Sequence, residues 1–242
     1  MKSGNKVDFV ISAGEACRPA YYTRLLDMRR FSSPCDWMMR YSLDDFLEVL
    51  RSEAKNMFKE AYIDHKYRWV VDKANGMISM HDFSCDHVLD GQLPAFYEMV
   101  QRRARNTVLE IRKSKRVGIV MNRNISSDEL IEFAEKLSAM FPHCHFCVVN
   151  MKDSPNESSI FINQPKRSNT FSAYEVTFND GHPNGRDKAT NPSFWLGNTA
   201  VWVHVLPHIF SVKGTYYRKG KRYVMAVIRR IINAARRRFF RQ

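Results

Sequence analysis

The stretch from Val117 to Val149 limits the fold of this chain more than any other. Val117-Gly118-Ile119-Val120-Met121 is a short apolar run rich in β-branched residues, and it reads as a buried strand. Ser127 follows as a helix N-cap. Leu130, Phe133, Ala134 and Leu137 then recur on one face of a helix predicted over 128–140. Cys144 to Val149 is a second apolar run. Two buried strands joined by one helix pair in parallel, through a right-handed crossover. A chain committed to that unit builds a layered α/β domain.

The remaining segments supply matching parts. Val7 to Ile11 predicts a first strand, and Arg18 to Met28 a helix with Ala20, Tyr21, Leu25 and Leu26 at helical spacing and Pro19 in its first turn. Ser42 caps a second helix with the stripe Leu43, Phe46, Leu47 and Leu50. Tyr67 to Val71 and Met77 to Met80 flank Asn75-Gly76, a hairpin turn. Leu93 to Lys113 is a long helix with Phe96, Val100, Ala104, Val108 and Ile111 on one face. Residues 150–192 are polar, with strand candidates at Ser159 to Ile162 and Ala173 to Phe178, and apolar character returns at Phe194-Trp195 and Val201-Trp202-Val203. The expected architecture is a three-layer α/β domain over residues 1–212, its mostly parallel sheet flanked by helices, followed by a basic amphipathic helix over 213–242.

Charge separates these two parts. The chain carries a net +13. Eleven lysines and arginines fall in residues 213–242 without a single acid, which leaves only +2 on residues 1–212. In that tail Val224, Val227, Ile228, Ile231, Ile232, Ala235 and Phe239 share one helical face, and most arginines lie opposite. Such a helix suits an anionic membrane surface. A helix docked on the domain with a solvated basic face is the second reading. Nucleic acid is a third and weaker one, because the body offers no basic patch or reader motif. No run approaches the ~20 apolar residues of a membrane span. Five cysteines, an odd number, and a polar start at Met1 to Lys6 predict free thiols in the cytoplasm, with the tail at the inner membrane face.

The chemistry centres on Ser12-Ala13-Gly14-Glu15-Ala16-Cys17. Cys17 falls where the first strand hands over to the first helix. Unpaired N–H groups and the helix dipole favour a thiolate there. Gly14 lets the loop turn sharply and bring N–H donors toward a ligand. Thiolate catalysis needs a base, and that base an orienter. His81 closes the Met77 to Met80 strand and is the expected general base or acid. Asp36 and its alternative Asp82 are the candidate orienters.

Three segments in order, Ser12 to Ala20, then Phe31-Ser32-Ser33-Pro34-Cys35-Asp36-Trp37, then Val70 through Gly76 to Met80-His81-Asp82-Phe83, resemble a bacterial domain-of-unknown-function family grouped as papain-like cysteine peptidases. Its pattern is S-x-G-x-x-C-x-x-A, S-x-P-F-D-W and H-D-F, and the resemblance spans residues 5–150. Cys35 stands where that family carries an aromatic residue. The resemblance implies Cys17 as nucleophile and His81 as its partner, with Ser12, Gly14 and Trp37 placed to contact substrate or an oxyanion. It also implies acyl chemistry: hydrolysis of an amide or ester, or transfer through a thioester, on a glycan or other acyl-bearing substrate of surface-polysaccharide biosynthesis. The rival is a non-catalytic glycan-assembly or binding protein in which Cys17 is structural. Here the strand before Cys17 and the later crossover unit read as Rossmann-like, so the papain likeness describes the residue pair better than the fold.

Other clusters fall short. His143-Cys144-His145-Phe146-Cys147 lacks a second ligand pair, and on a strand Cys144 and Cys147 face opposite sides, so no metal site is expected. Neither a P-loop nor a complete G-x-G-x-x-G occurs, so no cofactor is expected.

Overall fold

The computed structural model describes residues 4–212, and the predicted tail helix over 213–242 lies outside them. From the N-terminus the chain runs through β1 (Asn5–Val7), β2 (Phe9–Ser12) and α1 (Arg18–Leu25). It continues through β3 (Met38–Met39), α2 (Leu43–Arg51), β4 (Ala61–Asp64), β5 (Trp69–Asp72), β6 (Ile78–Ser79) and α3 (Leu93–Lys113). Then come β7 (Arg116–Met121), α4 (Ser127–Met140), β8 (His145–Asp153), β9 (Phe161–Arg167) and β10 (Phe171–Phe178). A 3₁₀ turn at Phe194–Leu196, α5 (Thr199–Ile209) and β11 (Phe210–Val212) complete it.

The main sheet has the order β2-β7-β8-β10-β9. Its first four strands are parallel and β9 runs antiparallel at the edge. β7 and β8 pair in parallel around α4, as their apolar runs require. Side chains alternate across this sheet with period two, which builds two cores. Phe9, Ile11, Val117, Ile119, Phe146 and Val148 face α2, α3 and α4. Val10, Val120, Cys147, Val149, Val176 and Phe178 face Tyr22 of α1 and Trp202, Val205 and Leu206 of α5. The layered α/β expectation therefore holds for residues 4–212. Cys144 belongs to the first core and Cys147 to the second, on opposite faces.

Two features go beyond the sequence reading. β1 pairs in parallel with β11 as a two-stranded sheet of their own. A separate antiparallel sheet of order β3-β6-β5-β4 grows from the predicted hairpin. Val71 sits opposite Ile78, and the turn between them carries Gly76 at φ 75°, a conformation that glycine adopts without strain. The α4 cap also shifts by one residue. Ser126, not Ser127, is the N-cap, because Glu129 three residues on returns to the Ser126 backbone and closes a capping box. Ser42 and Asp45 form the same device on α2.

Candidate active site

β2 ends at Ser12 beside β7, where Ala13 donates its N–H to the Val120 carbonyl at 2.9 Å. The chain leaves the sheet here, at the carboxyl end of the parallel strands, where open α/β sheets bind ligands. Cys17 is the N-cap of α1. Gly14 is buried in the loop between, and a Cβ there would stand 2.4 Å from Pro19 Cγ and 2.7 Å from Asn122 Oδ1. Only glycine lets the loop come that close. Arg18 fastens the first turn of α1 by pairing with Asp180 and donating from Nε to the Trp195 carbonyl at 2.6 Å.

Opposite this loop lies the 33–41 segment, which leads through β3 into the antiparallel sheet. Asp36, only 2% exposed, anchors it. Its carboxylate accepts from Ser12 Oγ at 2.8 Å, from Ser33 Oγ at 2.6 Å and from the Ser33 N–H at 3.1 Å, and it pairs with Arg29. The Ser12 hydroxyl is thus engaged in holding the strand end, and Asp36 is a brace whose oxygens are committed. Trp37 comes next. Its carbonyl stands 4.0 Å from Cys17 Sγ, and its ring meets His81 edge-on, with centroids 6.0 Å apart at 88°.

His81 arrives from the other side. It lies just past β6, exposed, with Nε2 3.9 Å from Cys17 Sγ. Residues 64 positions apart in sequence therefore meet at one edge. The separation is longer than a direct hydrogen bond and of the order that free enzymes show before substrate draws the pair together. Asp82 does not reach the imidazole: its Oδ2 accepts from Ser79 Oγ at 2.8 Å. Among the described residues, neither candidate orienter hydrogen-bonds to His81; Trp37 packs against it instead.

The state of the Cys17 thiol differs from the expected thiolate. Burial pushes its pKa up and is the largest influence; a hydrogen bond from its own backbone N–H opposes this, while the Asp82 and Asp36 charges raise it further. The buried thiols stand higher: Cys144 and Cys147 are pushed to about 12 by burial, and Cys35 beyond that. Among the described residues no group of three or more His, Cys, Asp or Glu side chains could hold a metal ion.

One residue at the site escaped sequence reading. Arg123, two positions past β7, looks like a solvated loop arginine in Met121-Asn122-Arg123-Asn124. It is buried, and donates from Nε to the Ala13 carbonyl at 2.9 Å and from Nη1 to the Tyr41 carbonyl at 2.6 Å. Only the tertiary fold, which stacks three distant segments over the end of β7, reveals that.

The cysteine and the histidine brought together at the carboxyl end of this α/β sheet are the two residue types that nucleophilic thiol chemistry uses. The family model described as “putative papain-like cysteine peptidase” matches residues 8–152, more than half of the 242-residue chain, and the protein belongs to that family. No curated protein and no solved structure matches it. The matched span includes Cys17, Asp36, Trp37, His81 and Arg123; β9, β10, α5 and β11 follow it.

Proposed function

We propose that this protein is a cysteine-dependent acyl-transfer enzyme, a hydrolase or acyltransferase, with Cys17 as nucleophile and His81 as general base and acid. The observation that carries this reading is the 3.9 Å approach of His81 Nε2 to Cys17 Sγ. Because burial keeps the thiol protonated, its proton moves to His81 Nε2 as the Sγ–C bond to the acyl carbon forms. In the first turn of α1 Pro19 carries no N–H and the Tyr21 N–H donates to the Cys17 carbonyl, so the Arg18 and Ala20 N–H groups, which have no acceptor within the helix, are the donors left for the developing oxyanion. His81 then passes the proton to the departing amine or alkoxide, leaving a thioester. Water, or an acceptor hydroxyl, attacks that thioester, gives its proton to His81 and releases the acyl product, and the proton returns to sulfur.

A glycan or other acyl-bearing substrate fits this chemistry as well as a peptide does. Residues 213–242, with eleven basic and no acidic side chains, are proposed to hold the protein on the cytoplasmic face of an anionic membrane. Full-length protein should float with anionic lipid vesicles at low salt, whereas residues 1–212 should not.

p-Nitrophenyl acetate tests the chemistry. One equivalent of p-nitrophenol per chain should appear in a burst, with the acetyl group on Cys17, and Cys17→Ala should abolish it. An acceptor alcohol that speeds turnover would mark a transferase. The unoriented His81 and the raised Cys17 thiol favour the rival, a non-catalytic binding protein. A missing burst, or acetylation of Cys85 in preference to Cys17, would decide for that rival.

A further inference from the structure

Arg123 is the least expected charge in the molecule. It is 6% exposed, and no carboxylate pairs with it among the described residues. The sequence places no acidic side chain outside those residues, so no side-chain counter-ion is hidden there. An uncompensated buried cation costs several kcal/mol. Part of that cost is offset by the two carbonyls that it grips and by the Tyr41 ring, whose centroid lies 4.7 Å from the guanidinium carbon. Nη2 and the Tyr41 hydroxyl make no well-aligned hydrogen bond, although the guanidinium lies close enough to the hydroxyl to favour its ionised form.

The backbone of Arg123 is held as firmly as its side chain. Its N–H donates to Asn150 Oδ1 at 2.9 Å, and its carbonyl accepts from Asn150 Nδ2 at 3.0 Å. Asn150 lies in β8 and is fully buried. The guanidinium therefore extends from a fixed point in the sheet. Its two prongs reach Ala13, four residues before Cys17, and Tyr41, four residues after Trp37. A guanidinium has the rigid fork that this span needs, whereas an ammonium does not.

We propose that Arg123 is a positioning residue for the Cys17 site: its grip on the Ala13 and Tyr41 carbonyls sets the gap between the nucleophile loop and the Trp37 segment against which His81 packs. This rests on reading Cys17 and His81 as the reactive pair. Arg123 touches neither residue, so its effect must appear as a change in how strongly they are coupled.

A double-mutant cycle on the full-length protein reads that coupling. Iodoacetamide alkylation of Cys17 is measured by site-resolved mass spectrometry in four forms: wild type, His81→Ala, Arg123→Met and the double variant. Cys85, half-buried in the loop after His81, is the internal control. In the wild-type background His81→Ala should slow Cys17 about tenfold. With Arg123→Met that factor should fall below about twofold, while the Cys85 rate stays constant and Cys35, Cys144 and Cys147 remain protected. Arg123→Lys, which keeps the charge without the fork, should give an intermediate factor.

The same tenfold effect of His81→Ala in both backgrounds would overturn the proposal. If Arg123→Met does not fold, the cycle is run on Arg123→Lys. If neither folds, Arg123 is a folding residue and the positioning role is rejected. If His81→Ala leaves Cys17 unchanged in the wild type, the reactive pair itself falls, and the inference resting on it falls too.

Discussion

The two halves of the candidate site are built to different standards. On the Cys17 side a dense set of buried polar contacts ties the segments together, although Arg123 Nη2, the Tyr41 hydroxyl and Asn122 Oδ1 stay without a well-aligned hydrogen-bond partner. Ser12, Ser33 and Arg29 converge on Asp36, Arg123 grips Ala13 and Tyr41, and Arg18 ties α1 to Asp180. On the base side His81 is exposed, follows a two-residue strand, and rests on a ring edge and a 3.9 Å contact. The loop beyond it is tied by Gln92, which accepts from the Ser84 N–H at 2.7 Å and donates to the Ser84 carbonyl at 2.9 Å. Buried networks of several hydrogen bonds and ion pairs rigidify, whereas exposed segments with few buried contacts open at low cost. The contrast teaches that the fold fixes Cys17 firmly and holds His81 loosely, so that in the proposed reading the base is delivered to the nucleophile. Substrate binding can then close the Cys17–His81 gap by moving only the base side.

The most severe way to break this comparison is to remove its central brace. Asp36→Ala strips the partner from Arg29 and three hydrogen bonds from Ser12 and Ser33. Removing one member of a buried ion pair costs about 3–5 kcal/mol. Urea unfolding should show a loss of that size, and Cys35 should become open to alkylation. A loss under about 1 kcal/mol would mean that the nucleophile side is no firmer than the base side.

His81→Ala should give the opposite pattern. An exposed side chain with a ring-edge contact and one long polar contact contributes within about 0.5 kcal/mol to stability, so the urea midpoint should stay in place. The acetylation burst at Cys17 should fall about 100-fold, the low end of what a positioned general base supplies. An unfolding shift above about 1 kcal/mol with an unchanged burst would reverse the roles assigned to the two halves.

How far the sequence carries the reader follows the same division. Periodicity exposes whatever is amphipathic: β7, α4 and β8 from their apolar runs, and α2 and α3 from their stripes. It fails where burial is partial or the element is short. β4 carries Tyr62 to the surface and shows no clean alternation, and β11 is three residues that read as the tail of α5. The Cys17 loop and His81 stand out because their residue types and order are distinctive. Their separation is set by an antiparallel sheet of which only the β5–β6 hairpin is visible in advance. The expected ease of forming a thiolate at Cys17 is opposed for an energetic reason. A helix start can be read from Pro19 and the apolar spacing, but the burial of the sulfur and the approach of two carboxylates are tertiary quantities. Arg123 is the extreme case, since nothing local distinguishes a buried arginine from a solvated one.

The smallest expected effect tests whether the exposed half tunes the buried half electrostatically. Burial is the main cause of the raised Cys17 pKa, and the Asp82 charge is the larger of the two carboxylate contributions. Asp36 cannot be neutralised without disturbing the brace, but Asp82 can. Its carboxylate accepts one hydrogen bond from Ser79, and the amide oxygen of Asp82→Asn can accept it equally. The sign is fixed. A nearby negative charge disfavours a thiolate, so removing it lowers the pKa and raises the thiolate fraction at neutral pH. The alkylation midpoint of Cys17 should therefore move down, by less than about one pKa unit because burial remains, with a rise of roughly 2–5-fold in rate at pH 7. Asp82 is only half-buried, so salt should screen its influence, and the difference between wild type and variant should shrink as ionic strength rises past about 0.1 M. Cys85 should not share the shift. A midpoint that stays put or moves up at low salt would show that Asp82 exerts no field on the sulfur, leaving burial and Asp36 to hold the thiol protonated and the two halves independent until substrate joins them.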